Sequence, residues 1–339
     1  DCIAISPTGT GKTEAFVIPI LAQQLLGRKS TTANTLILCP TRELALQTQQ
    51  RIQRLAQPLG IGSIAIYGGN TYAQQADELA LNPQLIIATP GRLLDLMAQE
   101  IVSLAALKTL VIDEIDQLLD LGFLGDVQRI LGAIPAGTQK VFVSATLPVA
   151  VEKLALKVLN QPLKLQATAQ QYSIKEQVLF VDKDDKKELI NHLLLGFEGQ
   201  QIIIFSRTVH AVERIVSFLN KVQLRSAALY GDKAQAQREQ ILSDFKNQQI
   251  QVLVATDIAT RGLDIPDLAA VINYEVPTHA DSYTHRIGRT GRSRAGNAII
   301  LCDAEDNKSL IALQTALKKT IPVNDQHPYV LSWQKMLAG

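Results

Sequence analysis

Two short segments near opposite ends of this chain carry residue types suited to phosphate. His285-Arg286-Ile287-Gly288-Arg289-Thr290-Gly291-Arg292 sets three arginines at steps of three within eight residues, a density of positive charge that makes sense around a polyanion. Near the amino end, Ser6-Pro7-Thr8-Gly9-Thr10-Gly11-Lys12-Thr13 reads as a phosphate loop. Gly9 and Gly11 let backbone N–H groups close around phosphate oxygens, while Lys12 and the N-terminus of a following helix add positive potential. In such a loop the lysine neutralises β/γ oxygens and the Thr13 hydroxyl ligates Mg²⁺. Ser6 stands where the strict pattern has glycine. Together the two segments imply one nucleoside triphosphate gripped from two sides.

Other polar clusters extend this chemistry. Val111-Ile112-Asp113-Glu114-Ile115-Asp116 ends an apolar run on carboxylates. In phosphoryl transfer, Asp113 would hold Mg²⁺ through water, and Glu114 would orient and deprotonate the attacking water. Ser144-Ala145-Thr146 offers two hydroxyls to those carboxylates, a way to report nucleotide state. Arg289 and Arg292 read as arginine fingers, worth roughly 10³ to 10⁵ in rate where they meet transition-state charge. His285 and Arg286 are expected to hold that segment against the acidic motif or a neighbouring strand. The stretch from Thr256 to Asp264, with Asp257, Arg261 and Gly262, mixes charge and flexibility and is expected to contact nucleotide and backbone phosphates.

Regular elements must position these groups. Short apolar runs recur at Leu36 to Cys39, Ile64 to Tyr67, Leu85 to Ala88, Leu110 to Ile112 and Val141 to Val143, each followed by a helix-like stretch. A helical pattern also covers Glu14 to Leu26. The series restarts with Val178 to Val181, Ile202 to Phe205, Ala227 to Tyr230, Val252 to Val254, Val271 to Asn273 and Ile299 to Leu301. Wholly apolar strands alternating with helices predict two α/β domains, each a parallel sheet covered by helices on both faces. We expect a first domain at 1–166, a linker at 167–173, a second domain at 174–321 and a loosely docked tail at 322–339. Ligands of open parallel sheets bind beyond the carboxyl ends of the strands, and the polar motifs fall there.

Bulk composition is that of an ordinary folded protein. The chain has 339 residues, 47% hydrophobic and 19% charged, and 33 Lys plus Arg against 32 Asp plus Glu. A net charge of +1 gives no general basic field, so nucleic-acid binding would rest on local clusters. Cys2, Cys39 and Cys302 show no pairing or metal spacing, which suits a reducing compartment. No run approaches the ~20 apolar residues needed to span a bilayer, so no membrane role and a cytoplasmic location are expected. Asp1 stands so close to the phosphate loop that the native start is expected upstream.

In order along the chain, SPTGTGKT, PTRELALQ, TPGR, DEID, SAT, IIIFSRT, ATDIATRGLD and HRIGRTGR resemble the motifs of the DEAD-box family of ATP-dependent RNA helicases. The resemblance runs from Asp1 to about Leu301 and implies two RecA-like domains that close when ATP and single-stranded RNA both bind. Residue by residue, it implies an ATP and Mg²⁺ site from Thr8, Gly9, Thr10, Gly11, Lys12, Thr13, Asp113 and Glu114. Gly262, Asp264, Arg289 and Arg292 would complete that site, with Asp116, Ser144, Thr146 and His285 coupling nucleotide to RNA. The implied RNA track uses Pro40, Thr41, Arg42, Gly68, Gly69, Thr89, Gly91, Arg92, Arg207, Gln235, Arg238 and Thr256. These groups suit phosphate and sugar, so sequence-independent binding to single strands and short duplexes is expected. Ile115 replaces the family's alanine, and the adenine-reading segment, a Gln with a preceding aromatic, would precede Asp1. A DNA translocase of the wider superfamily and a non-enzymatic RNA clamp are the alternatives.

Overall fold

Strands whose both faces are apolar can satisfy every residue only in the middle of a layered structure, and the chain uses them that way. The computed structural model describes residues 1–7, 10–26, 33–69, 71–167, 173–260, 265, 267–291 and 294–331. Two compact units divide near residue 169.

The first unit contains β1 (Cys2–Ile5), α1 (Lys12–Leu26), β2 (Thr35–Leu38), α2 (Arg42–Ala56), β3 (Ser63–Ile66), α3 (Tyr72–Leu79), β4 (Leu85–Ala88) and α4 (Pro90–Ala98). It continues with β5 (Thr109–Ile112), α5 (Ile115–Asp120), α6 (Leu124–Ala133), β6 (Gln139–Ser144), α7 (Val149–Val158) and β7 (Leu163–Gln166). Its seven strands form one parallel sheet in the order β3-β4-β2-β5-β6-β1-β7. Successive side chains of a strand point to opposite faces. Thus Leu36, Leu38, Leu110 and Ile112 join one buried cluster, while Ile37, Ile87, Val111 and Val143 join another. Ile115, in place of alanine, is fully buried in the first of these clusters.

The second unit contains β8 (Ile174–Phe180), α8 (Lys186–Leu195), β9 (Ile202–Phe205), α9 (Val209–Lys221), β10 (Ser226–Leu229), α10 (Gln235–Lys246), β11 (Val252–Ala255) and α11 (Asp257–Thr260). It ends with β12 (Ala270–Asn273), α12 (Ala280–Ile287), β13 (Gly296–Cys302) and α13 (Asn307–Leu317). Its six parallel strands run β10-β11-β9-β12-β13-β8. Ile202, Ile204, Val252 and Val254 pack on one face, and Val178, Ile300 and Cys302 on the other.

Two strands lie outside the runs marked from sequence: β1, which feeds the phosphate loop, and β7, whose residues are all exposed. The segment expected to dock loosely after 321 is instead bonded to β8. Val178 N–H donates to Pro322 O at 2.9 Å, Asn324 N–H to Val178 O at 2.8 Å, and Leu331 N–H to Phe180 O at 3.1 Å. Buried Ile321 and Leu331 anchor this run apolarly. Trp333 and residues 168–172 of the expected linker lie outside the described residues. No helix among the described residues is long and apolar enough to cross a membrane.

Ile37 is fully buried in the centre of the first sheet. Ile37→Ala is expected to lower stability by about 2–5 kcal/mol. Urea unfolding checks this: a midpoint unchanged from the parent would contradict the two-faced burial described above.

Candidate functional site

The order β2-β5-β6-β1 brings the ends of β1, β5 and β6 together on one rim of the first sheet. The chain leaves β1 into the phosphate loop, where Ser6 N–H donates to Ser144 O at 3.0 Å. Gly11 has φ +85°, a left-handed backbone that favours glycine. The Ser6 and Thr10 hydroxyls hydrogen-bond each other, and Thr10 also donates to Pro7 O at 2.8 Å, so the serine in the glycine position closes the loop on itself. Thr8 and Gly9 lie outside the described residues.

Lys12 projects back across the rim. Its ammonium donates to Ser6 O at 3.0 Å and pairs with Glu114 Oε1 at 3.0 Å, both side chains being under one-tenth exposed. The second Glu114 oxygen accepts from Gln117 Nε2 at 3.1 Å. Glu114 itself is left-handed, with φ 49° and ψ 49°, between β5 and α5. A non-glycine residue there costs about 1–3 kcal/mol and persists because its surroundings over-determine it. Asp113 is buried, and its Oδ1 accepts from the Glu114 N–H at 3.0 Å. Burial first, then the adjacent Glu114 carboxylate, push the Asp113 carboxyl above the usual carboxylate range, against a smaller opposing pull from Lys12. Thr13, also buried, is the second residue of α1, directly after Lys12. On the other side of the loop, Ser6, Thr10, Gly11 and Lys12 border a cavity of about 360 Å³ otherwise lined mainly by apolar groups such as Ile5, Phe16 and Val141.

Asp116 connects this corner to β6. Its Oδ2 accepts from the Thr146 N–H at 3.0 Å and the Thr146 hydroxyl at 2.8 Å. The Ser144 hydroxyl makes no such bond; it is buried and has no hydrogen-bond partner among the described residues. As a strand residue, Ser144 shares the face of Phe142 by two-residue alternation, whereas Thr146, past the strand end, can turn to the carboxylate.

Beyond β2 and β4 lie helix starts. Thr41 caps α2, its hydroxyl accepting from Leu44 N–H at 3.2 Å, and buried Pro40 precedes it. Thr89 precedes α4, with Gly91 in its first turn. Arg42 stacks on Tyr67, 4.5 Å from the ring centre. Gly69 has φ +101°, and a Cβ there would stand 2.8 Å from Arg42 Nη1. The adjoining Gly68 is exposed. Arg92 stacks on Tyr72 at 4.3 Å and donates to Gln75 Oε1 at 3.2 Å, while Gln75 donates to Tyr67 O at 3.0 Å. Tyr67, Tyr72 and Gln75 carried no sequence signal, because they act through arginines on other elements.

In the second unit Arg286 is nearly fully buried. It grips Asp257 at 2.6 and 2.7 Å, donates to Asn273 Oδ1 at 2.8 Å, and lies over Phe205. The expectation that it holds its segment against a neighbouring strand matches the Asn273 contact on β12. Asp257, expected to contact phosphate, has its carboxylate taken by this pair. Arg289 is buried and donates to Thr260 O at 3.2 Å. His285 is half-buried on α12. Gln235 and Arg238 sit on α10, where Arg238 donates to Ala259 O at 3.4 Å, and half-buried Thr256 follows β11. Arg207 follows β9 and pairs with Asp306 at 2.6 Å. Arg261, Gly262, Asp264 and Arg292 lie outside the described residues.

Two parallel sheets of this order, one ending in a phosphate loop beside acidic residues, define a protein of two RecA-like domains. A family model for DEAD/DEAH box helicases matches residues 1–154, and one for the helicase conserved C-terminal domain matches 185–294. The DEAD-box ATP-dependent RNA helicase RhpA of Helicobacter pylori is 37% identical over 95% of this chain and 65% of its own length. The ATP-dependent rRNA helicase RRP3 of Scheffersomyces stipitis is 37% identical over 97% of this chain and 68% of its own. A solved structure of S. cerevisiae Dbp5 bound to RNA and ADP BeF3 superposes with TM-score 0.82 at 30% identity, covering 96% of this chain and 85% of that one. The chain belongs to the DEAD-box family of RNA helicases. It spans just under two thirds of the length of its Helicobacter relative.

A carboxyl raised on folding stabilises the fold below the unfolded carboxylate range and loses that contribution as pH rises through the folded value. Asp113→Asn should therefore melt at a higher temperature than the parent near about pH 8, with the gain vanishing towards about pH 4. Melts across pH without nucleotide or metal check this; an equal gain at both ends would assign the effect to something other than titration.

Proposed function

We propose that the chain is the core of an ATP-dependent RNA helicase, which couples ATP hydrolysis to local separation of short RNA duplexes through closure of its two RecA-like domains. The observation that carries this reading is the Lys12–Glu114 pair beside buried Asp113 at the mouth of the phosphate loop. It is supported by family membership and by the printed activities of the relatives. The working boundaries are 1–166, a linker at 167–173, 174–321 and a C-terminal segment at 322–339.

Asp113 is a buried carboxylate short of positive charge, since Lys12 is committed to Glu114. That donor chemistry fits Mg²⁺, which Thr13 and Asp113 would hold, Asp113 through water, and which would neutralise β- and γ-phosphate oxygens. When ATP enters, Lys12 exchanges the Glu114 carboxylate for those oxygens. Glu114, released, orients a water and takes its proton as the water oxygen bonds to the γ-phosphorus and the bond to the β–γ bridging oxygen breaks. Arg289 and Arg292 supply positive charge to the transition state, and Gly262 with Asp264 completes the nucleotide's surroundings.

RNA is read along its backbone. The helix starts at Thr41 and Thr89 point N–H groups outward, and Arg42 and Arg92 stand beside them. Gly68, Gly69, Gly91 and Pro40 leave room for the strand. Arg207, Gln235, Arg238 and Thr256 extend the track in the second domain. Asp116, Thr146, Ser144 and His285 transmit nucleotide state, with the Asp116–Thr146 bonds the physical link in the first domain. ATP and RNA each favour the closed state, so their binding is cooperative. A cytoplasmic site of action suits the three free cysteines.

Glu114→Gln is expected to lower RNA-stimulated ATPase by at least about 10², the lower bound for a lost general base, while ATP-dependent RNA binding persists. A steady-state phosphate assay and anisotropy of labelled single-stranded RNA check both halves, and loss of both together contradicts the role given to Glu114. RNA should also outcompete DNA of equal length; preference for DNA, or no ATPase stimulation by any RNA, rejects the helicase reading.

A further inference from the structure

Arg207 leaves β9 at the strand-end rim of the second sheet and is 43% exposed. Beneath it lies a charge cluster that the hydrolysis chemistry does not use. Lys186, at the start of α8, is 1% exposed. Its ammonium contacts Asp303 Oδ2 at 2.9 Å, Asp306 Oδ2 at 3.3 Å and Tyr274 O at 3.0 Å. Asp303 and Asp306 are both buried. One ammonium facing two carboxylates leaves a single negative charge, and the outer oxygen of Asp306 presents it to Arg207 Nη2 at 2.6 Å. A second carboxylate fixes the same turn from below. Glu275 accepts from the Ser206 hydroxyl at 3.0 Å and from the Arg207 backbone N–H at 3.1 Å.

We infer that Asp306, anchored by Lys186, is a positioning residue for RNA binding: while Glu275 fixes the Arg207 backbone, Asp306 holds the guanidinium at one place on the rim so that its remaining donors meet an RNA phosphate. This rests on the reading of Arg207 as part of the RNA track. The arrangement is unlike a stabilising surface pair. A half-exposed arginine adds little to stability through such a contact, whereas a guanidinium fixed on one edge loses less rotamer freedom when the other edge binds phosphate. The carboxylates thus act on RNA through Arg207 and do not touch it.

Simple electrostatics predicts the opposite sign, which makes the inference testable. Asp306→Asn removes a negative charge near the track, and long-range attraction alone would tighten RNA binding. Positioning predicts that the full chain carrying Asp306→Asn binds single-stranded RNA weaker by roughly tenfold, the size of one charged hydrogen bond. The apparent KM for RNA in the ATPase assay should rise alike, with kcat at saturating RNA and KM for ATP unchanged. In an Arg207→Gln background, Asp306→Asn should add nothing further. Glu275→Gln, which leaves the Lys186 cluster intact, should show the same pattern and keeps the test open should Asp306→Asn fail to fold. If Arg207→Gln leaves RNA affinity unchanged, the RNA role of Arg207 itself falls. If Arg207→Gln weakens binding but the carboxylate variants tighten it, leave it unchanged, or weaken it equally without Arg207, positioning is overturned while the RNA role stands.

Discussion

Parallel register is the constraint from which the rest of this molecule follows. Because each strand runs the same way as its neighbours, Ile5 lies beside Ser144 and Leu38 beside both Ala88 and Ile112, so every chain segment that leaves a strand does so on one rim. Backbone groups just past that rim are no longer committed to the sheet ladder, and helix N-termini begin there. The phosphate loop, the acidic corner, the Thr146 turn and the two arginine-bearing helix starts are neighbours for this reason alone. A single antiparallel strand in the middle would carry one of them to the opposite end.

Crowding polar groups onto one rim creates a second requirement, that no charge be left buried alone. The chain meets it by giving cations fixed partners, among them Glu114 for Lys12, the Tyr67 face for Arg42, Gln75 and Tyr72 for Arg92, Asp257 and Asn273 for Arg286, and a carboxylate pair for Lys186. These partners differ in how easily they yield. An aromatic face or an amide holds an arginine less firmly than a carboxylate that grips it through two bonds. Arg286 is therefore held as structure.

The sheet architecture was legible because a strand buried on both faces must be apolar at every position, and runs such as Ile202 to Phe205 have no other comfortable home. β1 was harder to see, being short and placed at the start of the chain, and β7 carries lysine and glutamine among its leucines. The acidic corner and phosphate loop were legible from local spacing, since Lys12, Asp113 and Glu114 are diagnostic residue types at strand ends. Gln75, Asp306 and Glu275 were not, because each meets its arginine from a separate element and no spacing records that meeting. Ser144 shows the converse limit: its spacing offers a hydroxyl to the acidic motif, yet that hydroxyl is buried without a hydrogen-bond partner among the described residues, and it is Thr146 that bonds to Asp116.

The two sheets also finish differently at their outer strands. On the second, the run through Pro322, Asn324 and Leu331 lies along β8 and takes up some of its outward backbone groups. On the first, β7 ends the sheet with Leu163 and Leu165 at 63% and 49% exposure. Among the described residues β7 pairs only with β1, and an unpaired strand rim bearing leucines is a template for another chain. Self-association at high concentration should thus begin on the amino-terminal sheet, and a lysine in place of Leu163 is the simplest change to suppress it.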